Sequence, residues 1–445
     1  MVERKDHYRD TIFALSSGAG VSGVAVIRLS GPSVRFGLET MIGDVPEARH
    51  ATLKSLYSAD KRELDRGLVL YFPGPNSFTG EDCAELQVHG GRAVVQAVLE
   101  CLSGLDGFRS AEPGEFTRRA FDNGKMDLTE VEGLADLIAA ETEMQRRLAL
   151  EQSSGSLSDL YDGWRQRLVR ARAMIEADFD FADEEDIPGS VTETIWPELR
   201  QLLGEIDRHL LSAKAGEIIR DGYRVVILGA PNAGKSSLMN ALAKRDIAIV
   251  SDEKGTTRDL LEVHLDLDGY PVILQDTAGL RDGAGAVERE GMRRAMDAAR
   301  RADLILLLDD LSGRAGAAPV TDGDVARLRV GTKADLAAHI DRDDLDCLVS
   351  VKQDDGLSSL LSLLHSHVHE AAGQATGTLP NRQRHKEYLR TCREALEEAL
   401  ENDSDPLELR AEALRRAGNA LGRLTGRIDV EDLLDLIFGE FCVGK

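Results

Sequence analysis

Gly229-Ala230-Pro231-Asn232-Ala233-Gly234-Lys235-Ser236 is the stretch that decides the fold of the middle of this chain. It has the spacing G-x-x-x-x-G-K-S. Before it lies the apolar run Val225-Val226-Ile227-Leu228, and after it Ser237-Leu238-Met239-Asn240-Ala241-Leu242, which reads as a helix. Strand, Gly-rich turn and helix form the setting in which backbone N–H groups close around phosphate oxygens, and the helix N-terminus adds partial positive charge. In that setting Lys235 reaches the β- and γ-phosphates and the Ser236 hydroxyl binds Mg²⁺. Asn232, Ala233, Gly234 and Ser237 belong to the same nucleotide-binding loop.

Downstream strings arrive in the order of a guanine-nucleotide switch. Gly255-Thr256-Thr257-Arg258-Asp259 is placed to offer Thr257 to Mg²⁺ and the γ-phosphate. Asp276-Thr277-Ala278-Gly279 follows the strand candidate Val272-Ile273-Leu274. Its Asp276 would hold the water shell of the metal, and the Gly279 N–H could sense the γ-phosphate. Thr332-Lys333-Ala334-Asp335 offers a carboxylate to the two N–H groups on the guanine edge, with the Lys333 stem covering the ring. Adenine has the wrong donor pattern for Asp335, so GTP is selected over ATP. Ser350-Val351-Lys352 fits the loop that touches guanine O6. Thr332 stands where Asn is commoner and supplies a hydroxyl but no amide, so a somewhat lower guanine affinity is expected. The residue after Gly279 is Leu280, which cannot orient water as the Gln of a Ras-type enzyme does.

The surroundings divide into zones. Residues 1–125 alternate strand-like and turn-like segments, among them Val24–Leu29 and Gly67–Phe72, and suggest an α+β domain. Residues 126–215 read as helical, with Thr129 and Glu132 as a capping box. The acidic run Asp178–Asp186 reads as a solvated bend. Residues 216–372 alternate short apolar runs, including Leu304–Leu308, with helical patterns, as βαβ units do. A linker-like stretch from Ala372 to Pro380 leads into a second helical part, 373–445. There Val430, Leu433, Leu434, Ile437, Phe438 and Phe441 form one apolar stripe. The simplest arrangement is multi-domain: an α+β N-terminal domain, a discontinuous helical domain, and an α/β P-loop domain inserted into it.

Composition narrows the function classes. The 445 residues carry 78 acidic and 54 basic side chains, a net charge of −24. Such a surface repels polyanions at long range, which argues against a protein that coats nucleic acid and leaves room for a local basic site or a basic partner. No apolar run is long enough to span a bilayer, and no secretory signal opens the chain. The 5 cysteines are scattered without a CxxC pair, so reduced thiols in a cytoplasmic protein and no zinc site are expected.

Taken together, the strings resemble the tRNA modification GTPase family MnmE (TrmE). The resemblance rests on Asp10-Thr11-Ile12, Pro75–Asp82, Gly114–Phe121, Asn123-Gly124-Lys125-Met126-Asp127-Leu128, the GTPase series, and the terminus Phe441-Cys442-Val443-Gly444-Lys445. It implies a tetrahydrofolate-binding and dimerising N-terminal domain, a homodimer, and a heterotetramer-type complex with the FAD-containing MnmG (GidA) protein. It implies chemistry at carbon 5 of the wobble uridine of certain tRNAs, where an aminomethyl-type group is added from a 5,10-methylene or 5-formyl tetrahydrofolate unit. For hydrolysis it implies K⁺ in place of an arginine finger, held by Asn232 and the loop with Ser251, Glu253 and Thr256, and Glu288 as the catalytic carboxylate that orients water. For folate it points to Arg28, Glu85, Lys125 and Lys445. Cys442, beside the apolar stripe, reads as a packed thiol on its own and as a functional thiol by the resemblance. The rival reading is a regulatory switch GTPase of ribosome or membrane association, which has no use for folate residues. A P-loop ATPase is disfavoured by Asp335.

Overall fold

The computed structural model describes residues 9–18, 20–180, 192–245, 247–249, 261–276, 293, 296–313, 325–337, 343–373, 377–401, 406–428, 434, 437–439, 441 and 444. The chain falls into two compact units. One comprises Met1–Ala135, Ser158–Arg165 and Leu421–Lys445; the other comprises Asp136–Leu157 and Gln166–Ala420.

The first unit is built on six strands: β1 (Thr11–Leu15), β2 (Ser22–Ser30), β3 (Thr52–Tyr57), β4 (Glu63–Phe72), β5 (Cys83–Gly90) and β6 (Phe108–Ser110). Their order in the sheet is β3-β4-β5-β2-β1-β6, antiparallel except for the parallel pair β1–β6. Alternation along β2 and β5 sends Ala25, Ile27, Leu29, Ala84, Leu86 and Val88 into a core closed by the helices Val34–Ile42 and Arg92–Ser103. The period of two leaves Arg28 and Glu85 on the opposite face, directly across from each other in the β2–β5 register.

The helix Leu128–Ala139 begins in the same unit. Its cap is Asp127, not the expected Thr129–Glu132 box. Asp127 Oδ1 accepts from the N–H groups of Thr129 and Glu130, and Glu130 Oε2 accepts the Asp127 N–H at 2.7 Å. The reciprocal box therefore starts two residues earlier, and Thr129 and Glu132 lie buried within the helix. Burial of Asp127, with the Glu130 carboxylate beside it, pushes its acid dissociation up to about 6. Leu434, Ile437, Phe438 and Phe441 pack against Leu128 and Val131, so this part of the apolar stripe is core; Val430 and Leu433 lie outside the described residues.

In the second unit seven strands form one sheet: β7 (Tyr223–Gly229), β8 (Ala248–Ile249), β9 (Leu261–Leu267), β10 (Tyr270–Asp276), β11 (Leu304–Asp310), β12 (Ala326–Thr332) and β13 (Cys347–Val349). The order is β13-β12-β11-β7-β10-β9-β8. Strands β10, β7, β11, β12 and β13 run parallel, and β8 and β9 complete an antiparallel edge. Val225, Val226, Ile227 and Leu228 of β7 are all buried, as a central parallel strand requires. β7 has β10 on one side and β11 on the other, so the strand order reverses there and a crevice opens at its carboxyl end.

Long helices surround this sheet. The helix Thr192–Asp221 runs six residues beyond 215 and passes through Gly222 directly into β7. On the return, the helix Leu357–Ala372 ends at Gly373, and the last residues of the expected linker, Leu379 and Pro380, are buried. Leu379 joins the core of the sheet, and Gly216 is needed opposite Pro380, whose carbonyl would lie 2.5 Å from a Cβ at 216. The helices Gln383–Glu401 and Leu407–Leu424 follow. Most of the acidic run from Asp178 lies outside the described residues. Among the described residues, no helix is long and apolar enough to cross a membrane.

Candidate functional site

The crevice at the end of β7 holds the Gly-rich loop. Asn232 (φ 67°) and Gly234 (φ 93°) both take left-handed backbone, which Gly adopts freely and Asn tolerates better than most residues. The loop curls back over itself, and the helix Lys235–Ala243 starts from its end. Lys235 is buried, and its Nζ donates to the carbonyls of Gly229 at 2.8 Å and Ala230 at 3.0 Å. The ammonium is thus held inside the arc that the backbone makes. This is where a phosphate chain at the helix N-terminus would meet it.

β10 runs parallel to β7 with Asp276 beside Ile227, so its last residue arrives next to the loop. The Ser236 hydroxyl donates to Asp276 Oδ2 at 3.0 Å, and Asp276 is fully buried. A hydroxyl and a carboxylate at this separation suit a hard divalent cation with its water shell. Mg²⁺ therefore fits the residues present.

The next two strands build a second cavity beside the loop. It has a volume of about 310 Å³, and Gly234, Thr332, Lys333, Asp335, Val351 and Lys352 are among its lining residues, with Ser237 and Leu336. Thr332 closes β12, and its hydroxyl donates to the Ala233 carbonyl at 2.7 Å. One hydroxyl thus ties the base-side loop to the phosphate-side loop. Lys333 follows in left-handed backbone (φ 57°). Asp335 sits in the short 3₁₀ turn Ala334–Leu336, and its Oδ1 accepts from the Ser350 hydroxyl at 2.8 Å. A carboxylate oriented at one end of such a cavity can accept parallel N–H bonds from a flat heterocycle.

The structure brings Asn232, Ala233, Gly234, Lys235, Ser236, Ser237, Asp276, Thr332, Lys333, Asp335, Ser350, Val351 and Lys352 into one region of the second unit. Thr257, Gly279, Glu288, Ser251, Glu253 and Thr256 lie outside the described residues. Sequence reasoning missed Asp310, the last residue of β11. Its carboxylate meets Lys333 Nζ at 2.7 Å. The adjacent acids Asp309 and Asp310 at the end of a buried strand were the available signal.

On the face of the first sheet away from its main core, Arg28 Nη2 and Glu85 Oε1 are 3.1 Å apart, both side chains partly buried. The Arg28 guanidinium lies 5.3 Å from the Phe78 ring centroid and 5.9 Å from that of Phe116. Phe78 belongs to the loop between β4 and β5. The Asn123 amide donates to the Thr79 carbonyl at 2.8 Å, and the Lys125 stem lies within 3.3 Å of where a Cβ at Gly80 would be. Arg28 and Glu85 thus form one site, and Lys125 packs on the loop that borders it. Lys445 and Cys442 lie outside the described residues.

The loop rests on a buried ionic network. Arg119 is fully buried and bonds Asp10, Glu81 and Glu115, while Ser30 donates to Glu81 at 2.7 Å. Arg109 bonds Glu115 and Asp10 as well, and the two guanidiniums outweigh burial to hold the Glu115 carboxyl below its ordinary range. Truncating one member of such a network would leave an uncompensated buried charge.

A parallel sheet with its Gly-rich loop at the strand-order reversal, and a base cavity framed by β12 and β13, defines a P-loop GTPase, a GTP hydrolase. The family model described as the GTP-binding protein TrmE N-terminus matches residues 11–125, and that of the MnmE helical domain matches 128–442. The tRNA modification GTPase MnmE of Rhizobium meliloti (strain 1021) is 56% identical over 437 residues, covering 98% of this chain and 99% of the relative. That of Chelativorans sp. (strain BNC1) is 55% identical over 437 residues, covering 98% of each. The chain belongs to the MnmE (TrmE) family of tRNA modification GTPases.

Proposed function

We propose that this chain is a K⁺-dependent GTPase that acts with an FAD-containing MnmG partner. Together they add an aminomethyl-type, carboxymethylaminomethyl-forming group to carbon 5 of the wobble uridine of certain tRNAs. The one-carbon unit comes from a tetrahydrofolate derivative bound by the N-terminal domain, through which the chain forms a homodimer in the cytoplasm.

The observation that carries this reading is the partly buried pairing of Arg28 with Glu85 on one sheet face, with the Phe78 and Phe116 rings beside the guanidinium. A pterin presents adjacent N–H donors that one carboxylate accepts in parallel, which suits Glu85. Phe78, which is exposed, borders the pair as an apolar surface for a flat ring, whereas Phe116 is buried and supports the Arg28 guanidinium from within. Arg28 holds Glu85 in place beside the pterin, and Lys125 and Lys445 suit the carboxylates of the glutamate tail. Folate would supply the one-carbon unit. The residues of this chain bind and orient it.

In the GTPase half, Lys235 and the loop N–H groups take the phosphates, Ser236 and Thr257 take Mg²⁺ with Asp276 behind them, and Asp335 reads guanine. K⁺ at Asn232 and the Ser251–Thr256 loop stabilises charge developing between the β- and γ-phosphates. Glu288 orients the attacking water.

A regulatory switch GTPase would have no use for the Arg28–Glu85 site. Equilibrium binding of 5-formyltetrahydrofolate to the purified protein, against Glu85→Ala, separates the two. Saturable binding that Glu85→Ala weakens at least tenfold supports the modification enzyme. No binding by the wild-type protein leaves the switch.

A further inference from the structure

Two features of Lys333 stand out beyond its place in the base cavity. Its backbone is left-handed, and its ammonium is not free to wander: Nζ donates to Asp310 Oδ2 at 2.7 Å. The Asp310 side chain is only 1% exposed, whereas that of Lys333 is 31% exposed. The other oxygen of Asp310 is committed as well, accepting the Ser312 N–H at 2.9 Å and the Ser312 hydroxyl at 2.6 Å. Asp310 is the last residue of β11 and lies opposite Thr332 in the parallel register, so its carboxylate stands one residue away from the Lys333 backbone. The lysine is therefore fixed at both ends. Between these ends Lys333 lines the cavity together with Gly234, Asp335 and Leu336.

We propose that Asp310 is a positioning residue for guanine nucleotide recognition, anchoring the Lys333 ammonium so that the lysine stem forms a pre-set wall for the base. The inference rests on the reading of this cavity as the guanine site. A free lysine must be immobilised when the base enters, at a cost in affinity; a lysine already tethered has lost that freedom in the folded protein. The buried carboxylate is itself stabilised by the pair, so neither partner is left unsatisfied. Asp310 touches no part of the nucleotide. It acts through Lys333, and it contributes to the stacking surface and not to the reading of the guanine edge, which belongs to Asp335.

The test is calorimetric binding of GTP, ITP and ATP to the full-length chain, as wild type, Asp310→Asn, Lys333→Met and the double variant. ITP lacks the 2-amino group, so the GTP-to-ITP affinity ratio reports whether Asp335 is correctly seated. Asp310→Asn is expected to weaken GTP and ITP alike, on the order of tenfold, with the ratio unchanged. Lys333→Met keeps an apolar stem and loses the anchor, so it should weaken both to a similar degree. The double variant should be no weaker than the weaker single one. Single variants that bind GTP within twofold of wild type overturn the proposal. So does a collapse of the GTP-to-ITP ratio in Asp310→Asn, which would show general support of the loop in place of anchoring. If Asp310→Asn fails to fold, Lys333→Met decides by the same criteria. A wild-type protein that binds ATP as tightly as GTP would instead remove the guanine-site reading itself, a result visible before any variant is made.

Discussion

The Ser350 hydroxyl donates to Asp335 Oδ1 at 2.8 Å. These residues lie on different loops, and the bond turns a carboxylate that lines the cavity into a fixed acceptor. Ser350 is held in turn by a bridge between its backbone and that of Asp355. The loop expected to touch guanine O6 thus also orients the neighbouring loop.

Asp335→Asn should weaken GTP and favour xanthosine triphosphate, because the acceptor facing N1–H and the 2-amino group becomes partly a donor. Ser350→Ala keeps the carboxylate and loses its orienting bond. Its GTP affinity should fall about 3- to 10-fold, the scale of an ordinary hydrogen bond lost indirectly, with guanine still preferred. Competition binding with GTP, xanthosine triphosphate and ATP checks both. An Asp335→Asn protein with unchanged preference would place the base elsewhere.

Hydrolysis should be faster in K⁺ than in Na⁺ at equal ionic strength, since Na⁺ is too small for the same carbonyl set. Asn232→Ala should remove the difference. Glu288→Ala should keep GTP affinity and lose about 10²–10⁴-fold in hydrolysis, the scale of a positioned acid–base group. Single-turnover assays beside independent affinities check these. A Glu288→Ala protein within a few-fold of wild type would show that carboxylate to be an ordinary solvated one.

His209 gives the second unit an acid sensitivity. It is buried, and burial together with the nearby His385 lowers its proton affinity to about 4, from an ordinary 6.5. The folded protein therefore keeps His209 neutral, while the unfolded chain takes up a proton below about pH 6.5. The contribution to stability is whole above pH 6.5, declines as the pH falls through the window from 6.5 to 4, and levels off below it. Between pH 7.5 and pH 5 the wild type should lose about 2 kcal/mol more than His209→Gln. Urea unfolding at the two pH values measures this. Equal losses would mean that His209 titrates normally.

The strings Gly229–Ser236 and Thr332–Asp335 could be placed on their elements from sequence because each is contiguous. Gly229–Ser236 carries its own backbone requirements, and its flanks declare a strand and a helix. Contacts that depend on register were not legible. Lys333 and Asp310 meet because β11 and β12 align Asp310 with Thr332, and nothing in either local string states that alignment. Thr332 was read as a weaker partner for guanine. Its hydroxyl instead binds the Ala233 carbonyl, a backbone relationship invisible in the sequence. The cap of the helix Leu128–Ala139 was misplaced because two acid-bearing boxes overlap there. Asp127 wins since its carboxylate reaches the free N–H groups of the first turn, while Thr129 is already inside the helix. Arg28 and Glu85 came from family likeness alone; their pairing follows from β2 and β5 being neighbours.

If GTP hydrolysis and a folate-derived one-carbon unit both serve modification of the wobble uridine, the decisive measurement is mass analysis of nucleosides from tRNA of cells lacking this chain, with the gene restored as wild type, as Glu85→Ala, and as Glu288→Ala. Wobble uridines carrying the C5 aminomethyl-type group should disappear in the deletion, return with the wild type, and return with neither variant. An unchanged nucleoside profile in the deletion strain would contradict the proposed function.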